Sequence, residues 1–407
     1  MLMLASAGVI KKRKVIPPGM ENERMLAIIN AELIMPDHRV PNGFVIIEDG
    51  LIKDYGTMDK IGEIDGYEIV DAEGAFAGPG FIDIHTHASG GNVFYQKRDE
   101  ACEAAKYSLS HGTTTVLPAL LYCMSREELL DKINMLQDIM KTPEGANIGG
   151  IYMEGPYLNP NFGANRTDIP WNGRAKKEEY EPLITQGGED IRVWAIAPER
   201  EGIEQFVREA KTANPNVKFA VAHSEAKPEQ IEDLMPYDLC IGTHHTNATG
   251  TIIKYPECRG VCVDEAVNYN REIYAELICD KKGIHVDPYM LRLVRRIKGD
   301  DRIILISDAT TFDGPIPGPG YEGADDINFD YEGEISGTKL TIDAACYNMM
   351  IHTGASIVDV FKFGSRNPAR AVGFKDRGEI KRGFRADLVI VDDRINVKMV
   401  ILKGVVQ

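Results

Sequence analysis

The chain has 407 residues, 43% apolar and 27% charged, enough to bury a large core with room for a smaller second unit. That balance excludes wholesale disorder, and a net charge of −16 weighs against a nucleic-acid partner, whose binding begins with phosphate neutralisation. No stretch reaches the roughly 18 consecutive apolar residues that a membrane helix needs. The seven cysteines are scattered, odd in number and free of any C-x-x-C pair, which reads as reduced thiols in a cytoplasmic protein.

Residues 1–24 place an apolar patch before Lys11-Lys12-Arg13-Lys14 and then Pro17-Pro18-Gly19, the reverse of a secretory signal's order, and read as a disordered leader. From Met25 the runs AIINAELIM, GFVIIEDG and LIKDYG are β-rich, separated by Pro36-Asp37, Pro41-Asn42-Gly43 and the hairpin signal Asp49-Gly50. ADLVIVDD and VKMVILKG return to this style near the other end. Residues 25–78 and 374–407 are therefore expected to join in one small β-sandwich.

Between them, 79–373 alternates strand-like and helical segments. Candidate strands are 81–87, 113–120, 149–155, 193–198, 217–224, 239–245, 283–286 and 302–308, with amphipathic stretches such as REELLDKINMLQDIM and PYMLRLVRRIKG between them. Eight strands alternating with helices predict an α/β fold, a (β/α)₈ TIM-type barrel. A doubly wound open sheet is the alternative, but it gives no reason for polar residues at so many strand ends.

Those strand ends carry the candidate chemistry. His85 and His87 end the first strand, Glu154 the third, His223 the fifth, His244 and His245 the sixth and Asp308 the eighth, with His285 on the seventh. Barrel enzymes place reacting groups at C-terminal strand ends, so these side chains can converge on one mouth. His85 and His87, two apart on a strand, share a face, the spacing two imidazoles need to clasp one metal ion. Alone, the pair could equally be two core or surface histidines. Six of the nine histidines at strand ends, with Glu154 and Asp308 beside them, favour a metal site. Other roles stay open: a turn carboxylate for Glu154 before Gly155-Pro156, core packing for His223 and His244, a helix cap for Asp308. His245 must point away from His244 on a strand and is assigned to packing, and His38, His111 and His352 to structure. Imidazole and carboxylate ligands suit a divalent ion, with zinc, iron and manganese not distinguished.

The order H-x-H, EGP, a mid-barrel histidine, TH-x-x-NA and S/T-DA resembles the amidohydrolase superfamily. Within it, PGFIDIHTH, EGPYLNP, AHSEA, GTHHTNA, KKGIHVDP, ISDAT and NPARAVG resemble the N-acetylglucosamine-6-phosphate deacetylase family over nearly the whole chain from Met25. The resemblance implies that Glu154 bridges two metals, one also held by His223 and His244, the other by His85, His87 and Asp308. It implies a metal-activated water attacking an N-acetyl group, with Asp308 as base and then acid and His285 helping to polarise the carbonyl. Asn247, Ala248 through its backbone, and His285 match positions that contact substrate. A homodimer, with a neighbour's loop closing the site, is implied in the same way.

The sequence departs from the family around the phosphate. NFGANRTDIPW puts Asn165 where the family has a histidine, and TGTIIKYPECRGVCVDEA carries a shifted Arg259 and an extra Lys254. Arg259, Lys254 and Arg166 are the candidates for a phosphate contact. The leading expectation is a deacetylase of an N-acetylhexosamine phosphate. Beside it stand an amidohydrolase acting on another N-acyl compound (an unphosphorylated amino sugar, an N-acyl amino acid or a dipeptide) and, from another class, an inactive barrel serving as a binding protein.

Overall fold

The computed structural model describes residues 11–12, 25–163, 169–250 and 253–407. Most of the 1–24 leader lies outside the described residues; Lys11–Lys12 pair antiparallel with Ile69 and Val70.

The larger sheet has eight parallel strands: β1 (Phe81–Thr86), β2 (Thr113–Leu121), β3 (Ile151–Glu154), β4 (Ile191–Ile196), β5 (Lys218–Val221), β6 (Leu239–Gly242), β7 (Tyr274–Ile278) and β8 (Ile303–Ile306). They run side by side in chain order, and the two edges meet. The Asp308 N–H donates to the His85 carbonyl at 3.0 Å, and Ser307 Oγ donates to Asp83 Oδ2 at 2.5 Å. The result is the expected TIM-type barrel. Strands buried on both faces read as near-continuous apolar runs, as Ile303-Ile304-Leu305-Ile306 does.

The intervening helices show why the sequence folds this way locally. Helix Arg126–Met140 starts at a capping box, Ser125 with Glu128, and buries Leu129, Ile133, Leu136 and Ile139 on one stripe. Helix Pro288–Lys298 opens on an Asp287 cap with proline in its first turn and stops at Gly299, whose φ of 70° is open to glycine.

One expected strand is corrected. Residues 283–286 form a turn, because the Asp280 carboxylate gathers the backbone N–H groups of Lys282, Ile284 and His285. The seventh strand is β7, Tyr-Ala-Glu-Leu-Ile, whose central Glu276 interrupts the apolar signal. His285 thus stands on the loop after β7.

The smaller layer is a nine-stranded sheet fed from both ends of the chain. Phe76–Pro79 pairs antiparallel with Leu388–Val391, which continues through 397–402 to 405–406. Asp49 and Gly50, with φ of 50° and 78°, make the tight turn between Arg39–Glu48 and Leu51–Thr57. One face packs Leu26, Ile28, Leu33, Val45, Leu388 and Ile390, the other Ala27, Phe44 and Ile46, which is the sandwich character expected.

Two excursions rise from the barrel's C-terminal end. Ile253–Tyr255 and Cys258–Arg259 form a hairpin between β6 and β7. Between β8 and helix Ile342–Thr353, the hairpin Ile327–Phe329 with Ile335–Thr338 has its own apolar cluster, including Ala324 and Tyr321. Among the described residues, no helix is long and apolar enough to cross a membrane.

The wall between β3–β5 and its helices is aromatic. The fully buried Phe206 ring meets Tyr157, Tyr180 and Trp194 edge-on at 5.5, 5.1 and 5.2 Å. Phe206→Ala is expected to lose about 3–5 kcal/mol, seen as an earlier denaturant transition, with the activity of the folded fraction unchanged.

Candidate metal centre

All six sequence-predicted ligand positions meet at one end of the barrel. His85 and His87 project from the end of β1 with ring centroids 5.5 Å apart. Glu154 is the last residue of β3, and His223, His244 and Asp308 each stand two residues beyond β5, β6 and β8. These last three share an unusual backbone, with φ of 41°, 30° and 45°, in the left-handed region that side chains other than glycine rarely adopt. Such strain costs on the order of 1–3 kcal/mol per residue and persists only where the surroundings enforce it.

The surroundings are the sequence motifs. Asn159 of EGPYLNP donates its N–H to the His223 carbonyl at 3.0 Å, and Asn247 of TNA donates to the His244 carbonyl at 2.7 Å. Asp308 is held on both sides, donating to the His85 carbonyl and accepting from the Thr338 N–H, each at 3.0 Å. Glu199, a residue that no sequence motif above singles out, accepts from Asn159 Nδ2 at 2.9 Å, Ser224 Oγ at 2.6 Å and the Glu225 N–H at 2.8 Å, locking the loop after His223.

The side chains form two groups of potential ligands, His85–His87–Asp308 and Glu154–His223–His244, the donor atoms within each lying within 4.8 Å of one another. Glu154 Oε1 lies 2.9 Å from His223 Nε2 and 3.6 Å from His244 Nε2. Its Oε2 lies 3.2 Å from His87 Nε2, which is 3.4 Å from Asp308 Oδ1, so His87 joins the two groups. Backbone carbonyls of Ala119 and Phe162 accept from Nδ1 of His87 and His223, turning each Nε2 inward.

The charge balance is that of a cation site. Burial alone would raise the Glu154 carboxyl, but the imidazoles of His223, His244 and His87 more than offset it and hold it well below its usual range. Asp308 is likewise lowered against its burial, by His87 and His85. The reciprocal effect falls on the histidines: burial would depress His87, yet Asp308 and Glu154 raise it to about 10, and His244 is raised chiefly by Glu154. Without a cation, the buried carboxylates stay ionised by keeping protons on imidazoles. His85 Nε2 is buried without a hydrogen-bond partner among the described residues. Imidazole and carboxylate donors at these separations fit one or two divalent ions with metal–ligand bonds of about 2.0–2.2 Å.

A cavity of about 570 Å³ opens over the centre. His87, Glu154, His223, His244 and Asp308 line its floor, and Asn247, Ala248 and His285 line it too. Asn247 Nδ2 and His285 Nε2 are buried without partners among the described residues. Its wall includes Ile278 and Ile284, from the end of β7 and the turn after it, and Phe312, Tyr321 and Ile335 from the excursion after β8, which strand-end reasoning does not reach. Arg259 lies apart, exposed on the 253–259 hairpin and paired with Glu265. Lys254 is exposed on the same hairpin, and Arg166 lies outside the described residues.

A barrel with His-x-His on its first strand and an aspartate after its eighth is the architecture of a metal-dependent hydrolase. The amidohydrolase family model matches residues 76–406, and the chain belongs to that family. It is 26% identical over 375 residues to an N-acetylgalactosamine-6-phosphate deacetylase of Escherichia coli O157:H7, covering 88% of this chain and 96% of that one. It is 27% identical over 352 residues to an N-acetylglucosamine-6-phosphate deacetylase of Bos taurus, covering 82% and 84%. Among solved structures, the N-acetylglucosamine-6-phosphate deacetylase of Thermotoga maritima superposes with a TM-score of 0.77 at 25% identity, covering 94% of this chain and 99% of that one.

Because His87 holds a proton at neutral pH in the metal-free state, an incoming ion must displace it. Calorimetric titration of metal-free protein with zinc, in buffers of differing ionisation enthalpy, is expected to show proton release at pH 7. Apparent affinity should rise with pH until it approaches the His87 value of about 10.

Proposed function

We propose that the chain hydrolyses the N-acetyl group of an N-acetylhexosamine 6-phosphate, giving acetate and the amino sugar phosphate. The observation that carries this reading is the convergence of His85, His87, Glu154, His223, His244 and Asp308 beneath one cavity. The names of the curated relatives supply the substrate class.

Glu154, His223 and His244 would hold one ion and His85, His87 and Asp308 a second, with Glu154 Oε2 3.2 Å from His87 Nε2. When bound, the ions supply Lewis acidity, countering charge that builds on the acyl oxygen and acidifying water at the site. Asp308, ionised by its surroundings, takes the proton of the attacking water on its carboxylate and delivers it to the departing amine nitrogen. His285 Nε2 faces the cavity as a hydrogen-bond donor to the acyl oxygen, while Asn247 Nδ2 and the Ala248 backbone orient the sugar. We read the chain as a cytoplasmic homodimer, in which exposed Arg259 meets the phosphate of the partner's substrate.

The centre also separates this reading from an inert barrel, since it keeps both carboxylates, Glu154 and Asp308. Asp308→Asn is expected to keep an ion at the Glu154 group while lowering kcat by about 10²–10⁴-fold, measured as acetate release with metal content determined in parallel. Near-normal turnover would sink the assigned role.

A second reading, another N-acyl compound without a phosphate, is favoured by the apolar wall of Ile278, Ile284, Phe312, Tyr321 and Ile335. Acetate release from phosphorylated and unphosphorylated N-acetylglucosamine decides between the two. A strong preference for the phosphate is expected. Arg259→Ala should weaken that preference by about 10–100-fold, the worth of one charged hydrogen bond of roughly 1.5–3 kcal/mol. Equal rates on both compounds would remove the phosphate from the reading.

A further inference from the structure

Beneath the centre lies a carboxylate that the mechanism does not use. Glu276 sits mid-strand on β7, fully buried, its side chain reaching past β8 to His85 on β1. Glu276 Oε2 accepts from His85 Nδ1 at 3.2 Å and from the His244 N–H at 3.3 Å. Its Oε1 is buried with no partner among the described residues. Burying a carboxylate this thinly bonded is expensive, and an apolar residue would pack between these strands at lower cost. Strand packing therefore does not account for it.

The geometry at His85 does. The Tyr152 ring stacks on the His85 imidazole at 4.4 Å and 19°, and Tyr152 is held in turn by its hydroxyl, 2.8 Å from Thr243 Oγ1. Stacking sets the plane of the imidazole but leaves its direction within that plane free. The bond from Nδ1 to Glu276 sets that direction and keeps the Nδ1–H tautomer, so the lone pair of Nε2 points toward Asp308 Oδ1, 3.8 Å away. Nδ1 of His87 and His223 faces a neutral backbone carbonyl, whereas that of His85 faces a carboxylate. A carboxylate behind a ligating histidine both orients it and increases its basicity.

We propose that Glu276 is the positioning residue for His85 and thereby sets whether the His85–His87–Asp308 group takes up its metal ion. The proposal rests on the metal-hydrolase reading above. Its test measures zinc stoichiometry and stepwise affinity on metal-free full-length protein, by competition with a chromophoric chelator. The wild type, E276L and E276Q are compared, each also in an H85A background.

The wild type is expected to bind two ions. E276L should weaken one of them by about 10–100-fold, the usual worth of such a supporting partner, and leave the other near its wild-type affinity. E276Q, which keeps an acceptor but not the charge, should fall between them. In the H85A background neither substitution should change affinity further, because the residue acts through His85; a general packing defect would weaken binding in both backgrounds. Two ions at wild-type affinity in E276L, or equal losses with and without His85, would overturn the proposal. If E276L does not fold, E276Q against the H85A background gives the same decision. One ion in the wild type under every loading condition also overturns it and leaves one-metal hydrolysis standing. No ion at all brings down the metal-hydrolase reading itself.

Discussion

Two carboxylates, the buried Glu154 and the partly buried Asp308, are kept ionised side by side at the barrel mouth. That arrangement needs compensating positive charge within a few ångströms. Four imidazoles surround them, and the two carboxylates raise those of His87 and His244, which favours the charged form there. The same geometry offers a divalent ion what it needs, so the concentration of negative charge that is costly to bury also gives the site affinity for a cation. Barrel closure is part of this arrangement, since the seam between β1 and β8 includes the bond from the Asp308 amide to the His85 carbonyl.

The strain follows from this demand. Residues at the very end of a parallel strand alternate across the sheet, so a side chain wanted over the barrel mouth must be turned by its own backbone. His223, His244 and Asp308 make that turn at the same position, two residues past their strands, with φ between 30° and 45°. Asn159, Asn247, Glu199 and Thr338 hold the turns in place. The short motifs around the histidines are therefore scaffolding for a strained backbone as much as chemistry.

Above the centre the chain is built differently. The 309–341 excursion and the turn after β7 shape the cavity wall with apolar and aromatic side chains, while the floor is polar. The division suits an enzyme whose reaction is set by the barrel and whose choice of acyl compound is set by loops that vary independently of it.

Much of this was legible in one dimension. The two-residue periodicity of strands put His85 and His87 on one face, and the alternation of strands with helices pointed to a barrel with polar groups at its mouth. Asp49-Gly50 announced its hairpin because both residues tolerate positive φ. The strand β7 escaped because Glu276 interrupts its apolar run, and a lone glutamate gives no sign of being buried. Whether Arg259 faces its own cavity, which residues wall the pocket, and that His85 leans on a carboxylate two strands away across the barrel seam depend on contacts between residues as much as 191 positions apart. Local pattern carries the period of an element and the chemistry at its ends. Which distant side chains come to share a hydrogen bond is decided only when the barrel closes.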